Sequence, residues 1–123
     1  MNLAMQRRRW VVAALGAFTG LANAADHPFR ITIAPGKVGE VCMPLAEGDT
    51  LQWRFKASAA LDFNLHHHVD TEVLMPVERK AVKADSGALL IDRRNDWCLM
   101  WTAAPGAKPV AVNGAWSSTA VRR

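Results

Sequence analysis

Strict alternation of apolar and polar residues across residues 49–57 limits most strongly how this chain can fold. Leu51, Trp53 and Phe55 fall on one face of an extended segment, and the polar residues between them fall on the other. A period of two residues is typical of an antiparallel strand with one face in a hydrophobic core. We therefore expect a half-buried strand here, with Trp53 in the core.

Shorter alternating or apolar segments lie on both sides of this strand, separated by residues that favour turns. The segments are residues 29–33, 39–45, 62–69, 71–77, 88–92, 97–102 and 109–112. We expect a loop at Ser58-Ala59-Ala60 and turns at Asp70-Thr71 and Asp85-Ser86-Gly87. Turn signals at this spacing predict an all-β domain, an antiparallel β-sandwich of about eight short strands.

Residues 1–24 have the composition of a secretory signal peptide. Arg7-Arg8-Arg9 precedes an apolar run from Trp10 to Leu21, and Ala22-Asn23-Ala24 has the small-residue pattern of a cleavage site. We expect cleavage after Ala24 and a single periplasmic domain formed by residues 25–123, exported by the Sec or the twin-arginine route. The apolar run is too short to span a bilayer and no longer one follows, so no membrane span is expected after cleavage.

The charge of the chain gives little reason to expect a nucleic-acid partner. Its formal net charge is +4, but three of its 15 Lys and Arg residues lie in the predicted signal peptide, and 11 Asp and Glu residues nearly balance the others. Beyond that segment, adjacent basic residues occur only in short pairs such as Arg79-Lys80 and Arg93-Arg94. A nucleic-acid-binding surface needs a larger basic patch.

Cys42 and Cys98 are the two cysteines of the chain. An even number of cysteines in an oxidising compartment predicts that they are bonded to each other. The alternative is a pair of free thiols, one or both of which bind a soft metal ion. A bond between an early and a late segment would join strands that are distant in the sequence.

Four short stretches of the sequence resemble the GOLD domain of the emp24/p24 family. They are Val41-Cys42, Glu47-Gly48-Asp49 before an amphipathic strand, Leu61-Asp62-Phe63-Asn64, and Trp97-Cys98-Leu99-Met100-Trp101. The resemblance implies a small β-sandwich with a disulfide between an early and a late strand, and a role in protein interactions. We expect no counterpart of the p24 coiled coil and membrane anchor, and the histidines are not part of the family's pattern.

Three consecutive histidines, His66 to His68, are the most conspicuous chemical feature of the chain. On a strand, alternation places His67 on the core side with Leu65, and places His66 and His68 together on the opposite face. Residues two apart on a strand have Cα atoms roughly 6 to 7 Å apart, so both rings can reach one metal ion. The alternative is that His66 and His68 are solvated polar residues without a function.

A metal site needs further ligands, and methionine is the residue type that the sequence offers. Met75 on the following segment is the preferred third ligand, with Met100, Met43 or His27 as other possibilities. Imidazole and thioether ligands together favour copper over zinc. We therefore expect a copper ion bound by the histidine pair and Met75.

Catalysis is not expected. The sequence contains no nucleophile motif of the form G-x-S-x-G, no phosphate-binding glycine loop and no H-E-x-x-H motif. If the two cysteines are bonded to each other, thiol catalysis is excluded as well. The sequence favours a binding protein whose partner is a metal ion or, as the GOLD resemblance implies, an envelope protein.

Overall fold

Six β-strands make up the fold of residues 25–106 and 108–120, which the computed structural model describes. They are β1 (His27–Ile33), β2 (Val38–Leu45), β3 (Thr50–Val69), β4 (Glu72–Leu90), β5 (Asn95–Ala103) and β6 (Val110–Thr119). Every pairing between them is antiparallel, so the all-β antiparallel class is confirmed. There are six strands in these ranges in place of about eight, because β3 and β4 are long. The predicted signal peptide lies outside the described residues.

β3 is shared by two parts of the sheet, and the fold is organised around it. Along one edge it pairs with β4, and along the other its residues 50–57 pair with β6 and its residues 61–66 pair with β5. Since β1 lies beside β6 and β2 lies beside β5, the strands form one connected sheet in the order β1-β6-β3-β5-β2. Across the described ranges no helix is long and apolar enough to cross a membrane.

The core lies between the half of the sheet that contains β1 and the half that contains β2. Trp101 on β5 packs against Phe29 on β1 and Phe55 on β3, with ring centroids 5.3 and 5.5 Å apart. Trp53 is 4% exposed and lies 6.1 Å from the ring of Phe63. The predicted burial of Trp53 is therefore confirmed.

The predicted loop at Ser58-Ala59-Ala60 is wrong, because these residues continue β3. They are exposed and lie where β3 changes its partner from β6 to β5. The register against β4 shifts at the same place, between Lys56 and Leu61. The Ser58 hydroxyl accepts a hydrogen bond of 2.9 Å from the amide of Ala111. The strand continues through an irregularity, but its residues there are small and exposed, so the sequence shows no apolar alternation and resembles a loop.

The predicted turn at Asp85-Ser86-Gly87 is also wrong, because these residues lie within β4 and pack against Trp53. A Cβ atom on Gly87 would lie 2.5 Å from Cζ2 of Trp53, so the indole fits only because this residue is glycine. Asp85 Oδ2 accepts a hydrogen bond of 3.0 Å from Trp53 Nε1. These residues favour a turn in isolation, but in this strand Asp85 and Gly87 contact the buried indole of Trp53.

β6 continues well past the predicted segment at residues 109–112. Apart from Trp116 its later positions are mostly small, and Ala115 and Ser117 are buried. A Cβ atom on Gly114 would collide with the backbone carbonyl of Arg54 on β3. Close approach of β6 to β3 therefore requires small residues, and small residues leave no hydrophobic pattern in the sequence.

Ala81 on β4 adopts a left-handed backbone conformation, with φ of 52°. We expect Ala81→Gly to raise the free energy of unfolding by about 0.5 to 1 kcal/mol, because glycine removes the steric cost of this conformation. The matched control is Ala84→Gly on the same strand, where φ is not left-handed and the change should lower stability. Urea denaturation of the three proteins measures the difference. A loss of stability in both variants would contradict the expectation.

Candidate metal centre

The outer face of β3 carries Asn64, His66 and His68, as the alternation predicts. Asn64 lies opposite Met100 on β5, and His66 lies opposite Cys98. On β2, Glu40 lies opposite Met100 and Cys42 lies opposite Cys98. We call this set the outer-face cluster: Glu40, Asn64, His66, His68, Met100 and the Cys42–Cys98 disulfide.

His66 is fixed on both sides by other members of the outer-face cluster. Its side chain is 3% exposed although it lies on the outer face. Its Nδ1 atom lies 2.7 Å from Asn64 Oδ1, and its Nε2 atom lies 3.3 Å from Glu40 Oε2. The prediction of a solvated residue does not hold for His66, because almost none of its surface contacts water.

The hydrogen bond to Asn64 determines which ring nitrogen of His66 carries the proton. Burial lowers the pKa of His66 from its ordinary value of 6.5, and the Glu40 carboxylate opposes this shift. A neutral imidazole has one N–H, and with the carbonyl oxygen of Asn64 turned toward Nδ1, that N–H lies on Nδ1. Nε2 then directs a lone pair at the Glu40 carboxylate. Two acceptors this close repel each other unless a proton or a metal ion lies between them.

His68 lies beside His66 at a distance suited to sharing an ion. The two ring centroids are 5.3 Å apart and the ring planes are inclined by 80°. An imidazole nitrogen about 2.0 Å from a metal ion places its ring centre about 3.2 Å from that ion, so two imidazoles on one tetrahedral ion have centres about 5.2 Å apart. His68 is exposed, which leaves the pair open to solvent on this side.

His67 lies on the core side, as predicted. It is 4% exposed and its ring stacks on Trp97 with centroids 3.8 Å apart. The Asn95 side-chain amide is 3.2 Å from His67 Nδ1, to which it donates, and it also donates to the carbonyl of His68 at 2.7 Å. His67 is therefore a buried residue with a hydrogen-bonding partner, and it contributes to packing.

The candidate methionine ligands are widely distributed. Met43 is buried in the core at 1% exposure, whereas Met100 belongs to the outer-face cluster. Met75 is 41% exposed at an irregularity of β4 opposite His66, and it lines a cavity of about 330 Å³ with His67 and Trp97. His27 stacks on Trp116 where β1 pairs with β6. Met100 is directly paired with Asn64 and so shares the face of His66, whereas Met75 lines the cavity beside His67.

Cys42 and Cys98 form the predicted disulfide, with Cα atoms 4.0 Å apart. The alternative of two free thiols is therefore wrong for this state of the protein. Oxygen of Glu40 and the two sulfurs lie within 4.8 Å of one another. Because both sulfurs are bonded, they offer no thiolate, and the ligand atoms of the oxidised cluster come from histidine, carboxylate and thioether groups.

Glu40 is the member of the site that the sequence prediction missed. It lies two residues before Cys42 and so shares its face. If the disulfide is taken as a directly opposed pair, antiparallel pairing places Glu40 opposite Met100, two residues after Cys98. That inference was possible from the sequence. The adjacency of β3 to β5, which brings His66 to Glu40, was not.

No protein-family model and no curated protein matches this chain. The function is therefore inferred from the geometry of the outer-face cluster.

The metal-free protein should lose stability as the pH falls below about 6.5. Burial lowers the pKa of both His66 and His67 from the ordinary value of 6.5, so the unfolded chain binds protons at a pH where the folded state does not. At higher pH both states are neutral at these residues and stability is unaffected by them. Denaturant unfolding with a chelator, from about pH 8 to pH 5, measures this decline.

The control for this pH dependence is His67→Phe, which keeps an aromatic ring against Trp97 but removes one titrating group. We expect a shallower decline of the free energy of unfolding in the variant than in the wild type. Equal slopes in the two proteins would show that His67 does not resist protonation.

Proposed function

We propose that this protein is exported to the periplasm and binds a copper ion there through His66 and His68. Glu40 and a methionine sulfur complete the ligand set. The observation that carries the proposal is the approach of His66 Nε2 to Glu40 Oε2, 3.3 Å apart at a buried imidazole. For metal–ligand bonds of about 2.0 Å, two ligand atoms of a tetrahedral site lie about 3.3 Å apart.

The hydrogen bond from His66 to Asn64 supports the same proposal. Histidines that bind metals usually donate their other ring N–H to an oxygen acceptor, which fixes the ring and directs the free nitrogen at the ion. Asn64 Oδ1 is that acceptor here, at 2.7 Å from Nδ1. The buried ring is thus already oriented before an ion arrives.

Copper is favoured by the mixture of ligand types. Two imidazoles and a carboxylate suit Cu(II), and a thioether sulfur adds affinity for Cu(I). Met100 lies opposite both Asn64 and Glu40, which makes it a candidate for the thioether. Met75 stays a predicted ligand, and the two methionines can be separated by mutation. Zinc is the ion against which copper must be compared, because two histidines and a glutamate also suit it.

Titration of Cu(I), Cu(II) and Zn(II) into the purified oxidised protein tests the proposal. We expect one copper ion per chain, and at least about tenfold weaker binding in His66→Ala and in Glu40→Gln. His27→Ala is the matched control, because His27 lies where β1 pairs with β6. The copper affinity of this variant should equal that of the wild type. Met100→Leu and Met75→Leu identify the thioether. Affinity no tighter than micromolar, or unchanged in the double variant His66→Ala and His68→Ala, would refute copper binding.

A second candidate function is recognition of an envelope protein by a GOLD-like interaction module. The feature that favours it is the edge of β4, which in the described ranges pairs with β3 alone. Four large apolar side chains on β4 are exposed: Val73, Leu74, Met75 and Leu90. Such an edge can accept a strand from another protein.

Protein recognition predicts a defined envelope partner that binds the metal-free protein. Leu74→Glu with Leu90→Glu should abolish that binding. Val38→Glu should not, because Val38 is a comparably exposed apolar residue that lies on β2, away from this edge. A partner that binds the wild type, the double variant and Val38→Glu equally well does not use the edge of β4.

A further inference from the structure

The outer-face cluster contains a second set of possible metal ligands that the disulfide keeps inactive. Cys42 and Cys98 lie directly opposite each other, and Glu40 lies on the same face two residues before Cys42. One carboxylate oxygen of Glu40 and the two sulfurs lie within 4.8 Å of one another. Once the bond between the sulfurs is broken, these three atoms can bind one ion if the sulfurs are thiolates.

His66 supplies a fourth ligand to this set. It lies opposite Cys98 on the neighbouring strand, and its Nε2 atom is 3.3 Å from Glu40 Oε2. The N–H on Nδ1 is directed at Asn64, so the free nitrogen faces the Glu40 carboxylate. The four side chains come from three adjacent strands, β2, β5 and β3, and are neighbours on one face of the sheet.

We propose that reduction of the Cys42–Cys98 disulfide converts this cluster into a zinc site with Cys42, Cys98, His66 and Glu40 as its ligands. This goes beyond the proposed copper binding, since it needs a different redox state and does not use His68 or methionine. Two thiolates, one imidazole and one carboxylate form a tetrahedral set that suits zinc. The redox state of the disulfide then determines which metal this face binds: copper when the disulfide is formed, and zinc when it is reduced.

The chemistry balances with a dithiol as reductant. A thiolate of the dithiol attacks the sulfur of Cys42, an exposed residue, and breaks the disulfide bond so that Cys98 leaves as a thiolate. The second thiol of the dithiol then attacks the mixed disulfide and releases Cys42. Two electrons and two protons pass to Cys42 and Cys98, and the dithiol becomes a disulfide. Binding of Zn²⁺ then displaces the two thiol protons.

Side chains must rotate to hold the ion, because His66 Nε2 lies close to Glu40 but outside the group formed by Glu40 and the two sulfurs. Bonds of about 2.3 Å to sulfur and about 2.0 to 2.1 Å to nitrogen and oxygen place tetrahedral ligand atoms about 3.3 to 3.8 Å apart. The His66–Glu40 distance of 3.3 Å already falls in that range. Once the covalent bond is broken, the two sulfurs separate to about 3.8 Å, which rotation of the cysteine side chains can supply.

Co²⁺ and Zn²⁺ titrations of the reduced protein, without oxygen and after removal of the reductant, test this site. We expect one Co²⁺ per chain, a thiolate-to-cobalt charge-transfer band, and loss of that band when Zn²⁺ is added. The oxidised protein should give no such band. Cys42→Ser with Cys98→Ser should abolish it, His66→Ala and Glu40→Gln should weaken Zn²⁺ binding at least about tenfold, and His27→Ala should leave it unchanged.

His68→Ala separates the two metal proposals, because it should weaken copper binding in the oxidised protein and leave zinc binding in the reduced protein unchanged. Circular dichroism monitors folding throughout. If the reduced metal-free chain is unfolded, Zn²⁺ should refold the wild type and should fail to refold His66→Ala at the same concentration. A reduced wild type without the thiolate–cobalt band, or His66→Ala with wild-type zinc affinity, overturns the redox-controlled zinc site.

Discussion

Trp53→Ala should lower the free energy of unfolding by about 3 to 5 kcal/mol. The indole is 4% exposed, packs against Phe63, and occupies the space that Gly87 leaves free. Its removal creates a cavity and deprives Asp85 of the hydrogen bond from Nε1. Urea denaturation measures the loss, and a value below about 1 kcal/mol would show that the indole does not stabilise the core.

Trp116→Ala is the matched control for this prediction. Trp116 is partly exposed and stacks on His27 where β1 pairs with β6, so its truncation should cost clearly less than that of Trp53. Gly87→Ala gives a second test of the same packing. It should destabilise the wild type, where the added methyl meets the indole, and cost much less in the Trp53→Ala background. Equal costs in both backgrounds would mean that Gly87 and Trp53 are not coupled.

The sequence predicted side-chain faces better than it predicted strand boundaries. Period-two alternation correctly placed Trp53 inside and separated His67 from His66 and His68, because the pleat of a strand fixes this locally. Boundaries depend on neighbouring strands. Ser58-Ala59-Ala60 continues β3 because two different strands pair with it on either side of these residues, and no local signal reports that change.

The same physical distinction explains what was and was not foreseen at the candidate site. His66 and His68 are neighbours on one strand, so their pairing follows from sequence. Glu40 reaches His66 only because β5 lies between β2 and β3 and both adjacent pairs are in register. Strand order is a property of the whole fold, so the carboxylate was not predicted, whereas the disulfide was.

We expect the loss of the Cys42–Cys98 disulfide to lower the free energy of unfolding by about 4 kcal/mol. The bond joins residues 56 positions apart, and a closed loop of that length restricts the unfolded chain strongly. Small domains are stable by about 5 to 15 kcal/mol in total, so the reduced protein should have a measurably unfolded population under mild denaturing conditions. Cys42→Ala with Cys98→Ala, compared with the wild type in urea, gives the value.

The double alanine variant also separates the disulfide from other effects of a reductant. A reductant should destabilise the wild type to about the level of this variant and should leave the variant itself unchanged. Zn²⁺ should then restore stability to the reduced wild type and not to the variant, because metal binding to the folded state adds to its stability. A difference below about 1 kcal/mol between wild type and variant would show that the bond contributes little to the fold, and the reduced wild type would then stay folded whether or not zinc is present.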